Sequence, residues 1–140
     1  MIVPARNRAL VLLVVVLAGC GGTPAPPEGT GAREVVREFY EALLQRDWPR
    51  AYATLHADSR RLLSQQEFGR LAEAYQRDLG FTPEEFHIQS CDEKGTEASA
   101  HVVLIGHAAT KQRRYKDAVA LRHSEGWRVV LPGSFGRNRR

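Results

Sequence analysis

Near Gly80 the spacing of apolar residues changes from a helical to a strand-like period, and that switch leaves few architectures open. Before it, AREVVREFYEALLQRDW puts Val35, Val36, Phe39, Tyr40, Leu43 and Leu44 on one face and Arg33, Glu34, Arg37, Glu38 and Glu41 on the other. That is the i, i+4, i+8 stripe of an amphipathic helix. Asp47 is placed to cap a short second helix over WPRAYATL, whose first turn tolerates Pro49. Ser64 to Glu67, SQQE, has the residue types of a capping box, in which each side chain satisfies backbone N–H groups at a helix start. The helix it opens brings Phe68, Leu71, Ala72, Tyr75 and Leu79 to one side and stops at Gly80, a natural C′ residue.

After TPEE the pattern alternates. FHIQSC, then TEASAHVVLI beyond a DEKG turn, then RRYKDAVALRH beyond the loop HAATKQ, all read as strands. SEG turns the chain into WRVVL, and Pro132-Gly133 stops it. Three helical pieces therefore precede four strands joined by hairpin-length turns. That order predicts an α+β domain, N-terminal helices packed on a curved antiparallel sheet.

The remaining apolar residues lie ahead of this domain. Ala9 to Leu17, ALVLLVVVL, is unbroken and follows MIVPARNR, whose charges are Arg6 and Arg8. A basic segment, a short apolar run and small residues form the layout of a secretory signal peptide. The run falls well short of the roughly twenty residues a spanning helix needs. It closes on Leu17-Ala18-Gly19-Cys20, which resembles the lipobox of bacterial lipoproteins. The resemblance implies a diacylglyceryl thioether on Cys20, cleavage just before it, and an amine that is often acylated too. Two or three acyl chains make a stable anchor at about 0.8 kcal/mol per buried methylene. Gly21, rather than an aspartate, after Cys20 implies the outer membrane where a cell has two. The expected location is thus the bacterial cell envelope, on its periplasmic or extracellular face, with the lipid bilayer as a partner through acylated Cys20.

From Gly21 to Gly31 the chain is Gly, Pro, Thr and Ala with one acid, Glu28. Such composition cannot bury enough apolar area to offset ordering, so it reads as a tether reaching on the order of 30 Å. The expected organisation is a leader over 1–19, a tether over 20–31, a folded domain over 32–132 and a basic tail over 133–140. The other cysteine is Cys91. With Cys20 lipidated it has no disulfide partner, and it reads as a small buried or half-buried strand residue. Removing Arg6 and Arg8 with the leader leaves 18 basic residues against 16 acidic ones, a balance that gives little reason to meet nucleic acid. KQRRYK (Lys111 to Lys116) and RNRR (Arg137 to Arg140) read as a solvated hairpin and a frayed tail. The alternative is contact with an anionic lipid or polymer.

A second resemblance covers the folded part. The FYEAL…DW…AY opening, a later helix and meandering strands ending on GWRVV resemble the nuclear transport factor two-like superfamily, a cone-shaped α+β (cystatin-like) fold. Trp127 would then cap the core. The resemblance implies a cavity between the first helix and the concave sheet face, where any ligand would sit. That superfamily holds both enzymes, such as ketosteroid isomerase, and many non-catalytic domains, so fold alone decides nothing about function.

In RRYKDAVALRH the odd positions, Tyr115, Asp117, Val119, Leu121 and His123, are the more apolar set and point inward. Asp117 travels with them, and an inward carboxylate is costly unless paired or wet. It is either a proton acceptor near Tyr40, Tyr75 or Tyr115, or a residue of the cone mouth paired with an arginine. The ligand-contacting candidates are Tyr40, Tyr75, Tyr115 and Trp127. His101, His107 and His123 share parity, but no H-x-x-x-H or CxxC spacing occurs, so neither a metal site nor another cofactor is expected. His56 reads as a cation at a helix end. The expectation is a lipid-anchored, non-catalytic domain that binds a small apolar ligand or a protein. Ala118 and Ala120 on one strand face hint at sheet-to-sheet homodimer packing. The alternative is a small lyase or isomerase using Asp117.

Overall fold

The computed structural model describes residues 29–137. The leader, Cys20 and the tether as far as Glu28 lie outside the described residues, as do Asn138–Arg140. Four helices come first: α1 (Ala32–Leu44), α2 (Trp48–Ala53), α3 (Ala57–Leu62) and α4 (Gln65–Asp78). Four strands follow, β1 (Thr82–Lys94), β2 (Glu97–Ala108), β3 (Lys111–His123) and β4 (Trp127–Val130), as an antiparallel meander in the order β1-β2-β3-β4.

The inner face of the sheet is apolar and packs on the helices, while Val103 and Ile105 are buried on the opposite face of β2. Ala98, Ala100, Val102 and Leu104 of β2, Val119 and Leu121 of β3, and Val129 of β4 form one core with Val36, Phe39, Tyr40 and Leu43 of α1. β1 carries two register irregularities, between Pro83 and Glu85 and between Ile88 and Ser90, and such bulges bend a strand and raise its twist. The first lies opposite Gly106, where a Cβ would stand 1.9 Å from the Thr82 carbonyl oxygen. Only glycine lets the two strands come that close.

The caps follow the sequence in part. The Asp47 side chain accepts the Arg50 N–H at 3.2 Å. Ser64 and Glu67 form the reciprocal box, at 3.1 and 2.9 Å. The start of α1 has no cap from its own Gly31. Glu93 of β1 serves instead, accepting the Thr30 N–H at 3.0 Å, the Thr30 hydroxyl at 2.9 Å and the Ala32 N–H at 3.2 Å. Helix α3 adds a fourth helical piece to the three read from periodicity. Its N-cap is His56, whose Nδ1 accepts the Asp58 N–H at 3.2 Å. His56, read from sequence as a helix-end residue, is buried between the end of α2 and the start of α3. Just before it, Leu55 runs parallel to Val129. His56 N–H donates to the Val129 carbonyl at 2.7 Å and Val129 N–H to the Thr54 carbonyl at 2.8 Å, so the open edge of β4 is partly covered.

Packing passes both ends of the 32–132 span. Thr30, read as tether, also accepts the Trp127 indole N–H at 2.7 Å. Beyond Pro132-Gly133, Phe135 returns to the core, stacked on Phe68 at 5.8 Å and on Tyr75 at 4.9 Å between ring centroids. The prolyl-glycyl stop ends the strand but not the domain, because an aromatic two residues later still has apolar area to bury. Among the described residues no helix is long and apolar enough to cross a membrane.

Candidate functional site

Asp117 lies on β3 opposite Val102 of β2, on the parity that carries Val119 and Leu121 into the core. The strand directs its side chain at the helices. Two phenols meet it there: Tyr40 of α1 donates to Asp117 Oδ2 at 2.8 Å, and Tyr75 of α4 donates to the same oxygen at 2.6 Å. The other oxygen, Oδ1, accepts the Ala118 N–H at 2.9 Å. Tyr40 and Tyr75 each lie on the apolar stripe of their own amphipathic helix. That of α1 packs on the sheet, while α4 packs beside α2, with Phe68 against Tyr52, and Tyr75 reaches Asp117 from its C-terminal half.

The electrostatics of this cluster keep the phenols neutral. Burial, with the Asp117 charge adding to it, holds the Tyr40 hydroxyl well above the ordinary tyrosine range. Tyr75 is raised in the same way, by burial first and then by Tyr40 and Asp117. Both therefore stay protonated as donors. Among the described residues no buried side-chain nitrogen or oxygen is left without a hydrogen bond.

The cluster opens onto a cleft of about 520 Å³ between α1, α4, β3 and the C-terminal segment. Its walls mix aromatic and aliphatic side chains, among them Phe39, Tyr40, Tyr75, Tyr115, Phe135 and Leu131, with polar ones. Tyr115, two residues before Asp117 on the same strand face, sets its ring edge towards Tyr75 at 6.5 Å and is 37% exposed. Asp78, at the end of α4, and Arg137, after Phe135, complete the lining with one charge of each sign.

Of the residues singled out in the sequence, Tyr40, Tyr75, Tyr115 and Asp117 converge here. Trp127 does not: its indole faces Thr30 and the edge of His123, 5.2 Å between ring centroids, at the start of β4 and outside the cleft lining. Cys20 lies outside the described residues. Phe135, Leu131 and Leu79 join the cleft without having been marked as site residues. For Phe135 the signal was an aromatic set in a polar, glycine-containing tail. His101 meets Ser90 at 3.1 Å and His107 meets Glu84 at 3.2 Å, so the strand histidines make separate contacts. Among the described residues no three His, Cys, Asp or Glu side chains gather as metal ligands would. Cys91 is a half-buried free thiol whose pKa burial pushes up, which disfavours the reactive thiolate.

Helices packed on one face of a curved, open antiparallel sheet, with a cleft between the first helix and the concave face, define the α+β cone of the nuclear transport factor two-like fold. No family model matches this chain, and no curated protein does. Solved structures do. An NTF2-like transpeptidase from Campylobacter jejuni is 12% identical with a TM-score of 0.55, over 71% of this chain and 97% of that one. A SEC-C motif protein from Psychrobacter arcticus, 9% identical, gives a TM-score of 0.57 over 79% of this chain and 64% of that one. A second SEC-C motif protein, RPA3114 from Rhodopseudomonas palustris, is 15% identical with a TM-score of 0.53, over 69% and 73% of the two chains. At these identities the likeness is one of fold.

Proposed function

We propose that this chain is a lipoprotein of the bacterial envelope, fastened through Cys20, whose domain is a non-catalytic module holding a small, largely apolar molecule in the Asp117 cleft. The observation that carries the binding part is a space of about 520 Å³ that sets aromatic and aliphatic side chains beside the Asp117 cluster and a few other polar groups, a size typical of small-molecule sites. The anchor is supported by the order of arginines, apolar run and Leu17-Ala18-Gly19-Cys20. A second reading, a lyase or isomerase with Asp117 as proton acceptor, is favoured by one feature: the carboxylate does face the cleft beside two phenols. Against it, both phenolic protons are engaged by Asp117 itself. Neither is free to polarise a substrate oxygen, the task an isomerase assigns to its donors.

Native mass spectrometry of the full chain, isolated from bacterial membranes, tests the binding module. A discrete small-molecule adduct, lost when Leu79→Trp fills the cleft, is the expected result. An intact chain that carries nothing and takes up nothing from a library of small apolar compounds rejects the module. The anchor is tested separately by metabolic labelling with an alkyne fatty acid. Cys20→Ala should abolish the label and release the chain, and continued membrane retention counts against a lipid thioether.

A further inference from the structure

Asp117 is held by neutral donors alone: two phenols on Oδ2 and a backbone N–H on Oδ1. A carboxylate offers about four acceptor sites, so this one has room for another donor. Among the described residues no Lys, Arg or His nitrogen forms an ion pair with it. Cations are not scarce, for the chain has 20 Lys and Arg, and other carboxylates do take them. Arg50 binds Glu38 and Glu41, and Arg122 binds Asp58 at 3.1 Å. A half-buried charge without a counter-ion is costly, and here it faces a cleft rather than a neighbouring side chain.

The walls suit the same kind of guest. Tyr75, Tyr115 and Phe135 line the space next to Asp117. Phe135 is stacked on Tyr75, while Tyr115 is 37% exposed, and exposed aromatic faces attract cations that have shed part of their water. Among the described lining residues the charged side chains are Asp78, Asp117 and Arg137, so acids outnumber bases there.

We infer that the cleft selects an organic cation, an ammonium group on a compact apolar body, with the ammonium against Asp117 and the body among Tyr75, Tyr115 and Phe135. The inference rests on the binding-module reading above and narrows it to one ligand class.

Three water-soluble probes of matched shape test it: phenethylammonium, 2-phenylethanol and 3-phenylpropanoate. Binding to the full chain in zwitterionic micelles is followed through the NMR signals of Val119, Leu131 and Phe135. The ammonium should bind at least about tenfold tighter than the alcohol, and the carboxylate more weakly than either. In Asp117→Asn the advantage of the ammonium over the alcohol should vanish while the affinity for the alcohol stays. Equal binding of ammonium and alcohol in the cleft overturns the cation preference and leaves the binding module standing. If none of the three disturbs the cleft signals, the inference falls, and the module is decided by the mass-spectrometric test above. The comparison among probes is made on the unaltered chain, so the test holds whether or not Asp117→Asn folds.

Discussion

Tyr40 and Tyr75 reach one oxygen of Asp117 from two different helices, so a single carboxylate ties α1 and α4 to β3. Tyr40 is 1% exposed, and Tyr40→Phe keeps its ring packing while removing one donor from a charged acceptor. The expected loss is about 1–2 kcal/mol, at the lower end of values for hydrogen bonds to charged groups because Asp117 is half exposed. Urea denaturation measures it. A second measurement in the Asp117→Asn background should show a smaller loss, since the two changes remove the same interaction. An unchanged urea midpoint in Tyr40→Phe would mean that water replaces the phenol at no cost. Much of this cluster was legible in the sequence, for a physical reason. Strand parity fixes the side on which Asp117 lies, and helical periodicity places Tyr40 and Tyr75 on buried stripes. Which phenols donate was not legible, because the height of each helix over the sheet is set by packing. Tyr115 lies on the same strand face as Asp117 but two residues away, so it borders the carboxylate's space without bonding it. Trp127 reads from sequence as core, and it is; nothing local tells which end of the core it fills.

At the scale of elements, caps drawn from nearby residues were visible in the sequence and those made across the fold were not. Ser64 and Glu67 announce α4 by their spacing. Ser64→Ala should cost about 1 kcal/mol, read from the thermal midpoint, with α4 amides near Glu67 exchanging faster. Glu93 lies 61 residues along the chain from the Ala32 amide it accepts, and no sequence pattern connects the two. Hydrogen bonds from Thr30 and Ala32 hold the Glu93 carboxyl below its ordinary value of 4.5. A lowered folded value means the contribution is whole above about that pH and is lost as pH falls through the folded value. The first turn of α1 should therefore loosen on acidification from neutral pH to below 4.5. Its reporter is the Trp127 indole N–H resonance, because that N–H is bonded to Thr30. Glu93→Gln should leave the resonance in its loosened position at neutral pH and remove most of its acid response. A resonance that titrates identically in both proteins would assign the response to another group.

For the molecule as a whole, the decisive feature is how the C-terminal segment completes the cone. The four strands and α1 alone would leave the space between α4 and β4 open. Phe135 closes one side of it, sandwiched between Phe68 of the core and Tyr75 of the Asp117 cluster. Its backbone is fixed by a bond from its own N–H to the Pro132 carbonyl at 3.0 Å. Gly136 follows with φ of 64°, and a Cβ there would stand 2.1 Å from the Leu71 carbonyl oxygen. A segment that sequence composition assigns to a solvated tail is thus held both by stacking and by a close backbone approach to α4. Phe135 is also a wall of the cleft, so stability and binding depend on one side chain. Phe135→Ala should destabilise the domain by about 3 kcal/mol or more, as large-to-small changes at buried aromatics do. It should also weaken any cleft ligand even at temperatures where the domain stays folded. Phe135→Leu separates the two effects: much of the buried volume returns, so the urea midpoint should recover most of its loss. The ring stacked on Tyr75 does not return, so Tyr75 loses its support and affinity for a guest packed against it should stay low. Recovery of both together would make Phe135 a packing residue alone.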